Sequence, residues 1–368
     1  MAIAEHTVNM PERDKNKGSV VISGDAATVP GGREPLLEFR SVSRTFPISS
    51  GLLHRNGGVV HAVTDLSMIV NRGETLGLVG ESGCGKSTLA RMAVGLLSPT
   101  SGEILFRGEP VFGGGKGKSE QYSSNQLKKK KTIGRLQMIF QDPFSSLNPR
   151  LSVGHSVAEP LQGLPYAERQ QRVKAILECV GLRPEHASRF PHEFSGGQRQ
   201  RIAIARALIS RPDLVVCDEA VSALDASVQA QVLNLLKDVQ EEFGLAYLFI
   251  SHNLSVVGFM SDRVAVMYLG RIVELADHDQ LFVNPLHPYT RALFSSAPVP
   301  DPAARNGHRF LAGEMPSPVS PPSGCAFHPR CIRAIPQCRE SLPELREVEV
   351  GHWVRCHGVE GDSSFAKM

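Results

Sequence analysis

The sequence has 368 residues, a formal net charge of +3, 41% hydrophobic and 21% charged residues, an ordinary globular composition with room for one large domain and a smaller one. So small a charge argues against nucleic acid as the main partner, and no stretch approaches the roughly 18 apolar residues of a transmembrane helix. Glu5, Glu12 and Asp14 near the start do not read as a secretory signal, so the seven cysteines are expected as cytosolic thiols unless they bind metal or act catalytically.

Residues 1–34 are polar, contain Gly and Pro and show no apolar period, which reads as a mobile tail. Leu36 to Phe39 is a strand-like run. Gly73-Glu74 turns into an apolar strand, Thr75 to Val79, followed by a glycine-rich loop and a helix from Ser87 to Val94. Gly102 to Phe106 reads as another strand. Residues 111–131 look like a loop insertion, glycine-rich first and ending in the run Lys128 to Lys131, whose plainest meaning is a solvated loop and whose other meaning is contact with anionic lipid.

From about Pro143 to Phe194 the pattern turns helical. Val173, Ile176, Leu177 and Val180 share one face, and Gly181 stands where a C-terminal cap belongs. Strand signals return at Leu214 to Cys217 and Tyr247 to Ile250. Strands alternating with helices predict a mostly parallel α/β sheet with ligand chemistry at the carboxyl ends. Val264 to Tyr268, then Leu269-Gly270, then Arg271 to Leu275 reads as a hairpin. Seven prolines between Pro298 and Pro322 suit an extended linker, and the stretch after it holds four of the cysteines. No internal repeat is present.

Gly80-Glu81-Ser82-Gly83-Cys84-Gly85-Lys86-Ser87, with Thr88 after it, fits the phosphate-loop pattern in its required setting between strand and helix. Glycines let backbone N–H groups curl toward phosphate oxygens at the positive end of the helix. Lys86 offers a charge to the β- and γ-phosphates and Ser87 a hydroxyl to Mg²⁺. Cys84 fills an unconstrained position. Asp218 and Glu219 end a buried strand: Asp218 is placed to hold Mg²⁺, and Glu219 to polarise the attacking water.

Phe194-Ser195-Gly196-Gly197-Gln198 resembles the signature sequence of ATP-binding-cassette ATPases, whose usual first residue is leucine. Other motifs of that family follow in order. Gln141 resembles the Q-loop glutamine, which the resemblance makes a catalytic residue and a Mg²⁺ ligand beside the attacking water, close to the permease contact. Ser222-Ala223-Leu224-Asp225 resembles the D-loop, His252 the switch histidine that contacts the γ-phosphate, and Phe46 the aromatic that stacks on adenine. Phe140-Gln141-Asp142-Pro143, Ser146-Leu147-Asn148-Pro149, His287-Pro288-Tyr289-Thr290 and the cysteine-bearing tail are similar to the ATPase subunits of oligopeptide and dipeptide permeases, a likeness covering about residues 36–357. Two positions depart from the pattern: Ala220 replaces a proline and Asn253 an aspartate, neither assigned direct phosphate chemistry.

The resemblance implies a P-loop ABC cassette over residues 35–285, with a mostly parallel sheet, an antiparallel β part and a helical subdomain inserted at about 142–195. A C-terminal extension over 286–368 would then carry the Pro-rich linker and a small Cys-rich domain. It implies ATP hydrolysis that energises an importer of dipeptides or oligopeptides, with nickel or glycosides as other cargoes of related systems. A soluble cassette in translation or DNA repair is the rival reading, but such proteins usually carry two cassettes or a long coiled coil. A cassette that holds ATP without hydrolysing it is the other, and Glu219 with His252 speaks against it. The implied partners are a second ATPase, as heterodimer or homodimer, two permease subunits and an extracytoplasmic binding protein, with the chain on the cytoplasmic face of the plasma membrane.

Cys325, Cys331, Cys338 and Cys356 leave gaps of five, six and seventeen residues, which fits neither zinc ribbons nor ferredoxins. Spacing alone allows four thiolates around a soft metal, or plain buried thiols. The resemblance implies a [4Fe–4S] cluster on these four. Cys179 reads as a core residue.

Overall fold

Five-residue runs buried at every position form the middle of the main sheet, as expected for parallel strands covered on both faces. These are β3 (Thr75–Val79), β7 (Leu214–Asp218) and β8 (Ala246–Ile250). The computed structural model describes residues 34–48, 58–112, 134–142, 146–296 and 313–359. The tail expected over 1–34 (except Glu34), Lys128 to Lys131, Pro143, and Pro298 to Pro302 lie outside the described residues.

In chain order, β1 (Pro35–Pro47) and β2 (Val59–Asn71) pair antiparallel; β3 leads through the glycine-rich loop into α1 (Lys86–Ala93). β4 (Ser101–Phe106) and β5 (Glu109–Pro110) complete a four-stranded antiparallel sheet in the order β2-β1-β4-β5. β6 (Leu136–Ile139) returns to the main sheet, and α2 (Val153–Ala158) and α3 (Tyr166–Cys179) form the helical part. Then come α4 (Gly196–Leu208), β7, α5 (Ala226–Phe243), β8, α6 (Leu254–Met260) and the antiparallel hairpin β9 (Arg263–Tyr268) and β10 (Arg271–Asp277). α7 (His278–Val283), α8 (Pro288–Ser295), α9 (Gln337–Glu340), β11 (Arg346–Glu349) and β12 (His352–Val354) follow.

The main sheet runs β11-β12-β10-β9-β3-β8-β7-β6, parallel from β9 to β6. α3 ends as its sequence demands: Leu182 N–H bonds to Leu177 O at 2.8 Å and Gly181 N–H to Glu178 O at 2.9 Å, a Schellman cap with Gly181 at φ 73°. Its apolar face, Val173, Ile176 and Leu177, joins one core with Val153, Val157 and the strands β7 and β8.

The C-terminal segment does not stand apart as a small domain. β12 pairs with β10 through Glu274–Val354 and Leu275–Trp353, which makes β11 and β12 the rim of the main sheet. Phe327 enters the main core, with its ring 5.3 Å from Tyr268 and 5.4 Å from Tyr289. The segment is short of apolar residues of its own, and it folds by borrowing the cassette's core. Pro318 meets β2, its O accepting from His61 N–H at 2.9 Å.

The docking hinges on Glu274, a fully buried carboxylate on β10. It accepts from Leu286 N–H at 2.6 Å, His287 N–H at 3.0 Å and His352 Nε2 at 2.8 Å. Three donors from two later stretches of chain thus meet one charge, which is how a carboxylate is tolerated in a core.

Candidate active site

The carboxyl ends of β3, β7 and β8 put the phosphate loop, Asp218-Glu219 and Ser251-His252 at one edge of the sheet. Two loop glycines are fixed by close approach as well as by conformation. Gly80 (φ 156°) and Gly85 (φ 113°) would each place a Cβ 2.2 Å from a backbone oxygen, of Met267 and of Ala62. Backbone N–H groups can therefore line this turn only where no side chain stands. Lys86 lies over the loop, its Nζ donating to Gly80 O at 2.7 Å and Glu81 O at 2.9 Å. Cys84 is buried, and burial pushes its thiol pKa up, so it stays a neutral packing group.

Of the Mg²⁺ ligands expected from sequence, Ser87 and Asp218 meet, Ser87 Oγ donating to Asp218 Oδ1 at 3.1 Å, while Gln141 bonds to Glu219. Burial raises the Asp218 carboxyl pKa, against the pull of the Ser87 hydrogen bond and the charges of Arg91 and Lys86. A divalent cation beside this carboxylate would supply the charge that burial withholds. A hydroxyl, a buried carboxylate and a glycine cradle at a helix N-terminus fit a Mg²⁺–nucleoside triphosphate.

Glu219 carries the second cluster. Gln141 Nε2 donates to its Oε2 at 2.9 Å, and His252 Nδ1 lies 3.3 Å from its Oε1. Its backbone has φ 51°, held by Glu219 N–H donating to Ile250 O at 2.9 Å. The residue leaves β7 still tied to β8, and its carboxylate turns toward two motifs that lie far apart in sequence. Ala220, where a proline was expected, is buried. Asn253 caps α6 by accepting from Ser255 and Val256 N–H groups, as an aspartate would.

Ser195 is the N-cap of α4 in a capping box. Its Oγ accepts from Gln198 N–H at 3.3 Å, and Gln198 Oε1 accepts from Ser195 N–H at 3.1 Å. Gln198 is thus engaged in shaping the helix start. Phe194 fills the signature's apolar first position by burial, its ring edge-on to His186 at 5.3 Å. Gly197 lets α4 approach α5, since a Cβ there would stand 2.4 Å from Val228 Cγ1. Asp225 is the exposed N-cap of α5, and hydrogen bonds from Val228 N–H and Ser227 draw its pKa down. Phe46 lies opposite Val60, two residues along β2 from the Ala62 carbonyl that touches Gly85, and Arg44 packs on its ring at 4.7 Å.

Sequence reasoning missed two groups on the phosphate loop. Tyr289 Oη accepts from Glu81 N–H at 2.9 Å, and Arg330 grips the Glu81 carboxylate at 2.7 and 3.1 Å. They lie 208 and 249 positions from Glu81, and no local pattern joins them.

Cys325, Cys331, Cys338 and Cys356 line one small cavity, beside His287 and Phe327. Burial, with the neighbouring thiols adding to it, raises the pKa of Cys325 and Cys331 and pushes Cys356 up to about 11. Among the described residues no three His, Cys, Asp or Glu side chains form a group suited to a metal ion. Nor is any described helix long and apolar enough to cross a membrane.

Residues 63–222 match the family described as ABC transporter, and residues 273–338 match the oligopeptide/dipeptide transporter C-terminal region. The chain is 53% identical over 327 residues to the "Probable peptide ABC transporter ATP-binding protein y4tS" of Sinorhizobium fredii, covering 88% of this chain and 90% of that protein. It is 50% identical over 330 residues to the oligopeptide transport ATP-binding protein AppF of Bacillus subtilis, covering 88% and 98%. Among solved structures it is similar to the ATP-binding cassette MJ0796 in a dimeric post-hydrolysis state with ADP and Pi (TM-score 0.55, 25% identity, 66% of this chain and 99% of that one). It is also similar to CbiO1 of Clostridium perfringens, part of the CbiONQ transporter (TM-score 0.56, 28% identity, 68% and 91%).

Proposed function

The chain belongs to the ATP-binding proteins of ABC transporters, in the oligopeptide/dipeptide group, and from that membership we propose how its site works. It is an ATPase that energises a peptide importer. Lys86 and the loop N–H groups bind the triphosphate, and Ser87 and Asp218 hold Mg²⁺. Glu219, oriented by Gln141 and His252, takes the proton from the attacking water. The observation that carries this is the Glu219 carboxylate held between Gln141 and His252 at the strand end beside the Ser87–Asp218 pair.

The catalytic unit is a dimer with a related ATPase, in which Ser195 and the N-terminus of α4 close on the partner's nucleotide. One cassette per chain and the dimeric state of the similar MJ0796 cassette support the dimer, whether its second ATPase is related or identical. Two permease subunits hold the pair on the cytoplasmic face of the membrane, and an extracytoplasmic protein delivers peptide. Inside-out vesicles with the permeases and both ATPases should move labelled peptide on MgATP addition and hydrolyse ATP far faster than the purified chain. Full transport by this chain with the permeases alone would replace the heterodimer with a homodimer. ATP-driven movement of nickel or a glycoside instead of peptide would overturn the cargo.

The four cysteines hold an iron–sulfur cluster with a structural role. One feature supports it: all four thiols line one cavity, although among the described residues they do not stand as a group ready to hold a metal ion. When bound, the cluster would replace four protons on the thiols lining this cavity with metal bonds. Chain purified without oxygen should be brown with about four irons, and Cys331→Ser should bleach it while leaving MgATP binding intact. A colourless preparation with about one zinc would make it a four-thiolate zinc site, and no metal would make the cysteines packing residues.

A further inference from the structure

Every polar group of Glu81, the second residue of the phosphate loop, is tied down. Its carbonyl accepts from Lys86 Nζ, its N–H donates to Tyr289 Oη, and its carboxylate accepts two parallel bonds from Arg330. The first tie is internal to the loop; the other two come from the chain after β10. Paired bonds from a planar guanidinium fix orientation as well as distance. The Arg330 side chain is only 4% exposed and packs 5.9 Å from the ring centre of Tyr268. Tyr268 and Tyr289 themselves touch, with centroids 4.7 Å apart. Both grips therefore start from a packed aromatic base and not from mobile surface arms.

The charge matters as much as the geometry. An unpaired carboxylate beside a phosphate cradle would repel a triphosphate, and a guanidinium bonded to it cancels that field at close range. Arg330, with its side chain 4% exposed, reaches the loop through the Glu81 carboxylate. We propose that Arg330 and Tyr289 are positioning residues for nucleotide binding, holding Glu81 and hence the phosphate loop in the shape that receives a nucleoside triphosphate. Nucleotide affinity is thereby set partly by the C-terminal segment, through contacts that leave the reacting atoms untouched.

This rests on the loop being the nucleotide site, which MgATP titration of the unaltered full-length chain checks in the same experiment. Calorimetric titration of Arg330→Gln should give MgATP binding about ten- to a hundredfold weaker, the loss expected for hydrogen bonds to a charged group. The rate at saturating MgATP should stay within about twofold, so that KM moves and kcat does not. Arg330→Lys keeps the charge without the fork and should fall between the two. Arg330→Gln combined with Glu81→Gln should bind no more weakly than Arg330→Gln alone, because each acts through the other. Unchanged affinity in Arg330→Gln, or losses that add in the double variant, would overturn the proposal. If Arg330→Gln does not fold, Tyr289→Phe and Glu81→Gln decide it, and unchanged affinity in both is the overturning result.

Discussion

Glu219→Gln is expected to lower ATP turnover by about 10²- to 10⁴-fold, the usual worth of a positioned general base, while MgATP still binds within a few fold of the unaltered chain. Glutamine keeps the size of the side chain and can still meet Gln141 and His252, which hold the native carboxylate at 2.9 and 3.3 Å. What it loses is the ability to accept a proton from water. Binding survives because the triphosphate and Mg²⁺ are held elsewhere, by Lys86, the loop and the Ser87–Asp218 pair. With the second ATPase present, the variant should accumulate as a closed, ATP-loaded dimer. Phosphate release and equilibrium nucleotide binding, measured on one preparation, separate the two effects. Near-normal turnover would remove Glu219 from the chemistry.

Glu274→Ala should destabilise the chain by about 3–5 kcal/mol, the usual cost of breaking a buried charged network from one side. The change strands Leu286 N–H, His287 N–H and His352 Nε2 in the core together. The loss should be local first, because β12 is held to β10 by few other bonds. The sole tryptophan, Trp353, sits on β12 opposite Leu275, so its emission should shift to the red at lower urea than the rest of the chain unfolds. A single transition at the unaltered midpoint would sink the assignment. Acid should loosen the same joint. Burial pushes His287 down to about 4 from an ordinary value of 6.5, and its neutral Nδ1 accepts from Tyr289 N–H. The unfolded chain therefore binds that proton more tightly, and this contribution to stability is complete above pH 6.5 and declines as pH falls toward 4.

Of the strands legible in sequence, β3, β7 and β8 are buried at every position because both faces are covered, while the start of β1, β4 and the β9–β10 hairpin showed as short apolar runs. β2 gave no such signal, since it mixes exposed Asp65 and half-buried His61 and Thr64 with buried Leu66 and Met68. β6 has four residues, and β11 is exposed along most of its length, so neither carries a period. The phosphate loop, Asp218-Glu219 and the signature are local patterns, because their work is done by adjacent backbone groups. The convergence of Gln141, Glu219 and His252 was expected only through resemblance. The Arg330 and Tyr289 grips on Glu81 were not expected at all, because which side chains meet across more than 200 positions is decided by packing.

The pairing of β12 with β10 has a consequence for biosynthesis. His352 leaves the ribosome 78 positions after Glu274, which at about 5–20 residues per second is a delay of roughly 4–16 s. During that interval β10 is a raw sheet edge, the kind of surface that recruits strands from other nascent chains. For most of that time Glu274 faces inward at that edge with only its Leu286 and His287 donors in place, and a foreign strand that covered it would have to bury it without His352. The same carboxylate that later anchors β12 thus discourages any other strand from taking its place.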